Sequence, residues 1–155
     1  MKKATICFCL HGDRVLLAMK KRGFGASKWN GYGGKALGGE NEKTAAVREL
    51  QEESRLVANE KDLEQVALIR FYFDGSPEFE CSVFVIRVWQ GEPKETEEMR
   101  PQWFSVSNLP FSAMWAADIK WIPLILAGER IEAVVNFNID GTVVESFDYR
   151  PAKFD

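Results

Sequence analysis

The sequence contains very few of the residues that soft-metal and redox sites require. Its 155 residues include one histidine, His11, and three cysteines, Cys7, Cys9 and Cys81. A zinc ribbon needs paired cysteines and a multi-histidine centre needs several histidines, so both kinds of site are excluded. An odd, sparse set of cysteines argues against a disulfide framework and favours a reducing compartment, so we expect a cytoplasmic protein.

Long apolar runs and an excess of basic charge are absent as well. No stretch approaches the roughly 18 apolar residues of a transmembrane helix, and residues 1–20 show no signal-peptide pattern, so we expect no association with a membrane. The formal net charge is −3 and no basic stripe is present. Duplex nucleic acid is therefore not an expected partner. An acidic protein can still bind a phosphorylated small molecule when a metal ion bridges the charges.

The composition is typical of a soluble globular protein, with 46% hydrophobic and 28% charged residues. The length suffices for one domain with a buried core, so we expect residues 1–155 to form a single domain. We also expect a monomer. Strands dominate and helices are few, which predicts one mixed α/β domain. The predicted strands cover 3–10, 15–20, 63–73, 80–89, a short stretch beginning at 103, and a hairpin of 131–139 with 142–149.

Two helices are predicted between these strands. The first covers residues 40–54, with either Asn41 or Thr44 as its N-terminal cap. The second covers residues 118–126, and Pro123 is expected to be tolerated only in the first turn, where the missing N–H costs least. The residues expected on its apolar side are Ile119, Ile122, Ile125 and Leu126.

Residues 34–56 are the most informative stretch of the chain. On a helix, Glu49, Glu52 and Glu53 stand at positions i, i+3 and i+4 and therefore share one face. Like charges at this spacing repel one another, which suggests a bound cation at that face. The alternative is a solvated helix face with salt bridges, which the three glutamates alone would favour. Gly34, Glu40 and Arg48 in register with them favour a hard divalent cation beside a glycine loop.

The spacing itself resembles the signature of the Nudix hydrolases. Gly34 is followed after five residues by Glu40 and after seven more by Arg48-Glu49-Leu50-Gln51-Glu52-Glu53. Nudix hydrolases cleave the pyrophosphate link of nucleoside diphosphates joined to a further group. The resemblance implies a mixed β-sheet between helices, with the carboxylate helix on one side of the sheet. It also implies a dependence on Mg²⁺, with Mn²⁺ as the alternative ion.

The resemblance also assigns roles to residues. Glu49 and Glu53 would be the main metal ligands, together with the backbone carbonyl of Gly33 and with Glu98 from a later loop. Glu52 would be a ligand or would activate the attacking water. Arg48 would orient a neighbouring glutamate through a bidentate pair.

Other segments resemble the branch of the family that removes oxidised purine nucleoside triphosphates, such as 8-oxo-dGTP and 2-hydroxy-dATP, from the nucleotide pool and so prevents DNA damage. These segments are 20–25, 29–31, 97–101 and 110–115. The resemblance implies that Asn30 hydrogen-bonds the purine edge and that Trp115 stacks on the base. The remaining implied substrate contacts are Asp118, which reads the base, Phe71 and Phe73, which line the pocket, and Thr5 and Lys20, which lie near the sugar and the pocket mouth.

Two positions depart from the family pattern. Arg55 stands where a glycine in a left-handed turn normally follows the helix. Ala117 replaces the first of two adjacent aspartates, so only Asp118 remains to read the base. Loss of one buried partner should cost about 1–3 kcal/mol of discrimination, so a strict preference for 8-oxo-dGTP is not expected. Glu80 is expected on the pocket side, where it could supply a compensating acid.

Alternatives remain at this stage. The substrate could be another nucleotide derivative, such as ADP-ribose or a dinucleoside polyphosphate. The chain could also be a catalytically silent nucleotide-binding module. The intact set of repelling glutamates favours an enzyme, since a module that only binds need not keep them.

Overall fold

The computed structural model describes residues 1–155, which form nine β-strands and two α-helices. Neither helix has the length and apolar character needed to cross a membrane. The strands are β1 (Lys2–His11), β2 (Arg14–Lys20), β3 (Trp29–Asn30), β4 (Tyr32–Lys35), β5 (Glu64–Phe73), β6 (Ser76–Ile86), β7 (Met99–Ser105), β8 (Ile131–Phe137) and β9 (Val144–Pro151). The helices are α1 (Glu42–Ser54) and α2 (Asp118–Leu126).

All nine strands belong to one mixed sheet. Seven of them follow the order β3-β2-β1-β6-β5-β8-β9, while β4 pairs with β1 and β7 pairs with β2. The β1–β6 and β5–β8 pairs are parallel and the other pairs are antiparallel. The predicted α/β class with a mixed sheet is confirmed.

Alternation along the strands divides the core between the two faces of the sheet. In β1, Phe8 packs into one cluster of buried residues, whereas Cys7 and Cys9 pack into the other. Trp121 of α2 belongs to the cluster of Phe8, and Leu50 of α1 belongs to the cluster of the two cysteines. Successive side chains of a strand point to opposite faces, so the helices cover opposite sides of the sheet. The predicted arrangement, a mixed β-sheet between helices, is confirmed.

The carboxylate helix begins two residues later than predicted. Asn41 is its N-cap, and the Asn41 side-chain oxygen accepts the backbone N–H of Thr44 at 2.8 Å. This geometry selects Asn41 from the two caps that the sequence allowed. The helix ends at Arg55, whose φ of 69° is left-handed and whose N–H donates to the carbonyl of Gln51. Arginine, which carries a Cβ atom, therefore occupies the left-handed conformation in which glycine is normally found.

Two predictions for the second helix are wrong. Pro123 is the sixth of nine residues in α2 and lies beyond the first turn. Proline there removes one backbone hydrogen bond, and the packing of Trp121 and Ile122 into the core offsets that loss. Ile119 was expected on the apolar side, but 56% of its surface is exposed. The buried face is instead centred on Trp121, Ile122 and Ile125.

Two strand boundaries also differ from the prediction. β6 begins at Ser76 and ends at Ile86, four residues earlier than expected at its start and three at its end. β7 begins at Met99, because its backbone pairs with the whole of β2 and Met99 lies opposite Lys20. Pairing with a distant strand therefore extends β7 into a segment whose polar sequence predicts a loop.

Candidate functional site

Arg48 holds three glutamates of the carboxylate stretch together. Its Nε and Nη2 donate to the two carboxylate oxygens of Glu40, at 2.9 and 3.0 Å. Its Nη1 donates to Glu49 at 3.0 Å and to Glu52 at 3.3 Å. Nη2 also donates to the backbone carbonyl of Lys35 at 3.3 Å. The arginine therefore forms a bidentate pair with Glu40 and fixes the position of Glu49.

The glycine loop approaches α1 closely at two points. The backbone N–H of Gly33 donates to Glu53 Oε1 at 3.0 Å. A Cβ atom on Gly34 would lie 2.8 Å from Glu49 Oε1, closer than any ordinary contact. Glycine at this position leaves the space that the Glu49 carboxylate occupies.

The protonation of the acids differs with their surroundings. Burial, followed by the charge of Glu49, raises the pKa of Glu53 to about 8. The Arg48 hydrogen bonds lower the pKa of Glu40 to about 2, assisted by the backbone N–H of Leu37. Glu40 is therefore a permanent partner of Arg48, whereas a nearby cation would favour the ionised form of Glu53.

The predicted metal ligands are only partly assembled. Glu49 and Glu53 lie beside the glycine loop, but Glu98 is half-exposed and its nearest cation is Arg22, at 3.5 Å. No group of three His, Cys, Asp or Glu side chains lies close enough together to hold a metal ion. The donors nevertheless suit a hard divalent cation, since they are carboxylate oxygens beside a glycine that leaves room for them. Glu52 is largely exposed and contacts Arg48.

A cavity of about 760 Å³ opens beside this loop, with Gly33 and Gly34 in its wall. Its other walls come from β1, β2, β5 and β6, from the loop before β3 and from the start of α2. All seven substrate contacts that the sequence predicted line this one cavity, namely Thr5, Lys20, Asn30, Phe71, Phe73, Trp115 and Asp118. The fold therefore brings a carboxylate helix and a cavity that contains several aromatic rings to the two sides of one glycine loop.

Aromatic rings cluster around Trp115 in the cavity wall. The ring of Phe24 lies 5.1 Å from that of Trp115 with an interplanar angle of 32°. Phe73 meets Trp115 edge-on at 6.3 Å, and Phe137 lies 5.9 Å away. The ammonium group of Lys28 stands 5.3 Å from the Trp115 ring centre. Flat rings beside a cation suit a planar base that carries negatively charged groups.

Polar groups in the cavity can recognise the edge of such a base. Asn30 Oδ1 accepts the N–H of Gly31 at 2.8 Å, which fixes the orientation of the side-chain amide. Asp118 is buried, and this burial raises its pKa to about 7. Near neutral pH its carboxyl group can therefore either donate or accept a hydrogen bond.

The expectation that Glu80 lies on the pocket side is wrong. Its carboxylate accepts hydrogen bonds from Lys3 at 2.9 Å and Arg70 at 3.1 Å, outside the cavity. The neighbouring residues Phe79 and Cys81 line the cavity instead. Glu80 therefore belongs to a row of charges on the sheet and does not replace the missing aspartate.

Several cavity residues carry no assigned role in the sequence-based prediction. Phe24 lies within the segment 20–25, and its position between two glycines is the signal that could have identified it. Lys28 has no such signal, because only the fold brings it to Trp115. The other lining residues without a predicted role include Phe79, Cys81, Trp121 and Phe137.

Comparison with known proteins agrees with this arrangement. The Nudix domain model matches residues 1–125. The chain is 46% identical over 145 residues to the oxidized purine nucleoside triphosphate hydrolase of Danio rerio, covering 93% of this chain and 92% of that protein. It is 43% identical over 141 residues to the Mus musculus protein of the same name, covering 90% and 89%.

Solved structures show the same fold. The MutT protein of Bacillus halodurans superimposes with a TM-score of 0.81, covering 99% of this chain and 100% of that one, at 23% identity. A UDP-X diphosphatase superimposes with a TM-score of 0.62 over 82% of this chain and 63% of that one, at 19% identity. The fold is thus shared by proteins with different names. The match of the family model over residues 1–125 and the two relatives above 40% identity establish that this chain belongs to the Nudix family of hydrolases.

Proposed function

We propose that this protein hydrolyses oxidised purine nucleoside or deoxynucleoside triphosphates to the monophosphate and pyrophosphate. One observation carries the proposal. The hydrogen bond from Gly33 to Glu53 joins the carboxylate helix to the wall of a cavity lined by aromatic rings and by polar side chains, among them Asn30 and Asp118. A nucleotide with its base in the cavity would have its phosphates beside the acids. The names of the two relatives support oxidised purines as the substrate class.

We propose Mg²⁺ as the metal ion, with Mn²⁺ as a substitute. Nudix hydrolases use divalent metal ions, and such an ion neutralises charge on phosphoryl oxygens and lowers the pKa of water. Glu49, Glu53 and the carbonyl of Gly33 would hold it, and Glu98 would join them after leaving Arg22. The ligands are all oxygen atoms, as Mg²⁺ prefers.

The residues of this chain then have distinct tasks. Arg48 keeps Glu49 in position. Glu52 is either a further metal ligand or the group that activates the attacking water by accepting its proton. Trp115, Phe71 and Phe73 hold the base by stacking and contact. Asn30 and Asp118 read its edge, and Thr5 and Lys20 lie toward the sugar and phosphates.

The proposal extends to the compartment, the oligomeric state and the partners of the enzyme. Its three cysteines are buried and unpaired, which supports a reducing compartment such as the cytoplasm. We propose that residues 1–155 act as one Nudix domain and as a monomer that binds neither nucleic acid nor membranes.

A substrate panel tests the proposal. Purified protein with Mg²⁺ should release pyrophosphate from 8-oxo-dGTP and 2-hydroxy-dATP faster than from dGTP or dATP. Glu53→Gln should lower that rate by about a hundredfold or more, as loss of a metal ligand implies. Glu42→Gln is the matched control, since Glu42 lies on the same helix and pairs with Lys3 at 3.8 Å. Comparable cleavage of ADP-ribose would overturn the proposed substrate class. Nucleotide binding without Mg²⁺-dependent turnover would overturn the assignment of the protein as an enzyme.

A further inference from the structure

The hydroxyl group of Thr96 joins the end of the carboxylate helix to the loop that precedes β7. Its O–H donates to the backbone carbonyl of Glu53 at 3.3 Å. Its oxygen accepts the backbone N–H of Glu98 at 3.3 Å and that of Met99 at 3.2 Å. A hydroxyl group has one hydrogen to donate and two lone pairs, so these three bonds use its full capacity. One half-buried side chain thus connects the main chains of two predicted metal ligands.

The backbone of Glu98 is held from two sides. Its N–H donates to Thr96 Oγ1, and its carbonyl accepts the backbone N–H of Lys21 at 2.8 Å. A further bond attaches the same loop to α1, since the N–H of Lys94 donates to the carbonyl of Ser54 at 2.9 Å. The main chain that carries Glu98 is therefore anchored both to the end of α1 and to the residue that follows β2.

The side chain of Glu98, in contrast, is free to change its partner. It is half-exposed, and its contact with the exposed guanidinium group of Arg22 is 3.5 Å long. An ion pair between two exposed side chains is weak, so a divalent cation can displace Arg22. Because the backbone is already in place, the cation would immobilise one side chain and no main chain. Preorganisation of this kind reduces the conformational freedom that is lost on binding.

We propose that Thr96 is a positioning residue that holds the backbone of Glu98 against the end of α1, so that this side chain can join Glu53 as a ligand of one divalent cation. The assignment rests on the metal ligands of the proposed function. It adds how a ligand outside α1 is brought to those on the helix. Removal of a group that orients metal ligands typically lowers metal affinity by about tenfold to a hundredfold.

Binding of Mn²⁺ tests the assignment without turnover. Nucleotide-free protein is titrated with Mn²⁺ alone, and electron paramagnetic resonance of the free ion gives the dissociation constant. Thr96→Val removes the hydroxyl group and keeps the shape of the side chain, so we expect the constant to rise by about tenfold. Thr96→Ser keeps the hydroxyl group and should stay within about twofold of the parent.

Thr44→Val is the matched control. Thr44 lies on α1, and its hydroxyl group donates to Glu60 at 3.0 Å, which is not among the proposed ligands. Its removal should leave the Mn²⁺ dissociation constant unchanged. An equal loss of affinity in Thr44→Val and Thr96→Val would overturn a specific role for Thr96.

A double-mutant cycle separates the positioning of Glu98 from a general loss of structure. In Glu98→Gln the ligand is absent, so the addition of Thr96→Val should change the Mn²⁺ dissociation constant by less than about twofold. A tenfold loss in both backgrounds would show that Thr96 only supports the fold. In turnover assays, Thr96→Val should raise the Mg²⁺ concentration for half-maximal rate by about tenfold and leave the KM for nucleotide at saturating Mg²⁺ unchanged.

A measurement on the parent protein does not depend on the folding of any variant. In EDTA, the backbone amide of Glu98 should be protected from hydrogen exchange, because its bond to Thr96 is present before a metal ion binds. Exchange of this amide at the rate of an unstructured peptide would overturn the assignment.

The two proposals fail separately. Equal Mn²⁺ binding by the parent and Thr96→Val would overturn the role of Thr96 and leave the proposed function intact. No turnover of any oxidised purine nucleotide by folded parent protein would overturn the proposed function, and Mn²⁺ binding would still decide the role of Thr96. A parent that binds no Mn²⁺ would overturn the metal site and the role of Thr96 together.

Discussion

The backbone N–H of Gly33 donates to the buried carboxylate of Glu53 at 3.0 Å, and this contact joins the carboxylate helix to the wall of the cavity. Gly33 belongs to β4, which pairs with β1, whereas Glu53 lies in the last turn of α1. The sheet therefore positions the proposed metal ligands relative to the cavity. Changes at the glycine loop should separate effects on hydrolysis from effects on folding.

Gly34→Ala should impair hydrolysis and preserve the fold. The added Cβ would lie 2.8 Å from Glu49 Oε1, so the flexible carboxylate must move away. We expect kcat to fall by about tenfold to a hundredfold, because a displaced ligand weakens the metal site, while the melting temperature stays within a few degrees. Pyrophosphate release and thermal unfolding measure the two effects. Unchanged kcat would show that the position of Glu49 does not limit the reaction.

Gly33→Ala is the matched contrast and should damage folding. Its Cβ would lie 1.8 Å from the backbone carbonyl oxygen of Thr5, which cannot move without breaking the β1–β4 pairing. We expect loss of several kcal/mol of stability, or no soluble protein. A Gly33→Ala protein as stable as the parent would contradict the close approach of these strands.

Arg55→Gly should stabilise the protein. Arg55 ends α1 with a left-handed φ of 69°, a conformation that costs a residue with a Cβ roughly 1 kcal/mol. Denaturant unfolding should give a gain of about that size. Arg55→Ala is the control and should show no gain, because alanine keeps the Cβ. An equal gain from both variants would mean that the arginine side chain itself is unfavourable.

Ala117→Asp should restore preference for 8-oxo-dGTP. Ala117 is fully buried beside Asp118 at the start of α2, so a second carboxyl group would lie near the one that is proposed to read the base. We expect the ratio of kcat/KM for 8-oxo-dGTP to that for 2-hydroxy-dATP to rise by about tenfold, as one added buried hydrogen bond implies. Ala116→Asp, one residue earlier, should leave this ratio unchanged. An unchanged ratio in Ala117→Asp would place the base elsewhere.

Asp118→Asn should become the more stable protein as pH rises. Burial raises the pKa of Asp118 to about 7 in the folded protein, whereas an unfolded aspartate has a pKa of about 3.9. Between these values the unfolded chain has lost a proton that the folded chain keeps, so the free energy of unfolding of the parent falls as pH rises. The two proteins should match near pH 4 and differ by roughly 1–3 kcal/mol at pH 8. A constant difference in urea unfolding across this range would contradict the burial of an ionisable group.

The carboxylate cluster could be predicted from the sequence because it lies on one helix. Spacing along a helix fixes which residues share a face, so Glu49, Glu52 and Glu53 could be placed together, with Arg48 four residues before Glu52, without knowledge of the fold. The seven cavity residues could be grouped only through the resemblance, since they come from distant segments. Their roles with substrate stay predictions.

The side on which Glu80 lies could not be predicted from alternation, because both faces of β6 carry apolar side chains. Cys81 and Val83 pack into the cluster of Phe8, whereas Phe84 and Ile86 pack into the cluster of Cys7 and Cys9. With both faces buried, the sequence does not show which of them lines the cavity.

The division of the core between the two faces of the sheet also separates the two halves of the site. Trp121 of α2, the helix proposed to read the base, packs on one face of the sheet, while Leu50 of α1, the helix that carries the acids, packs on the other. A substitution that reshapes the base cavity therefore need not disturb the packing that holds the acids. The range of bases accepted can diverge in evolution while the machinery for cleaving pyrophosphate is inherited unchanged.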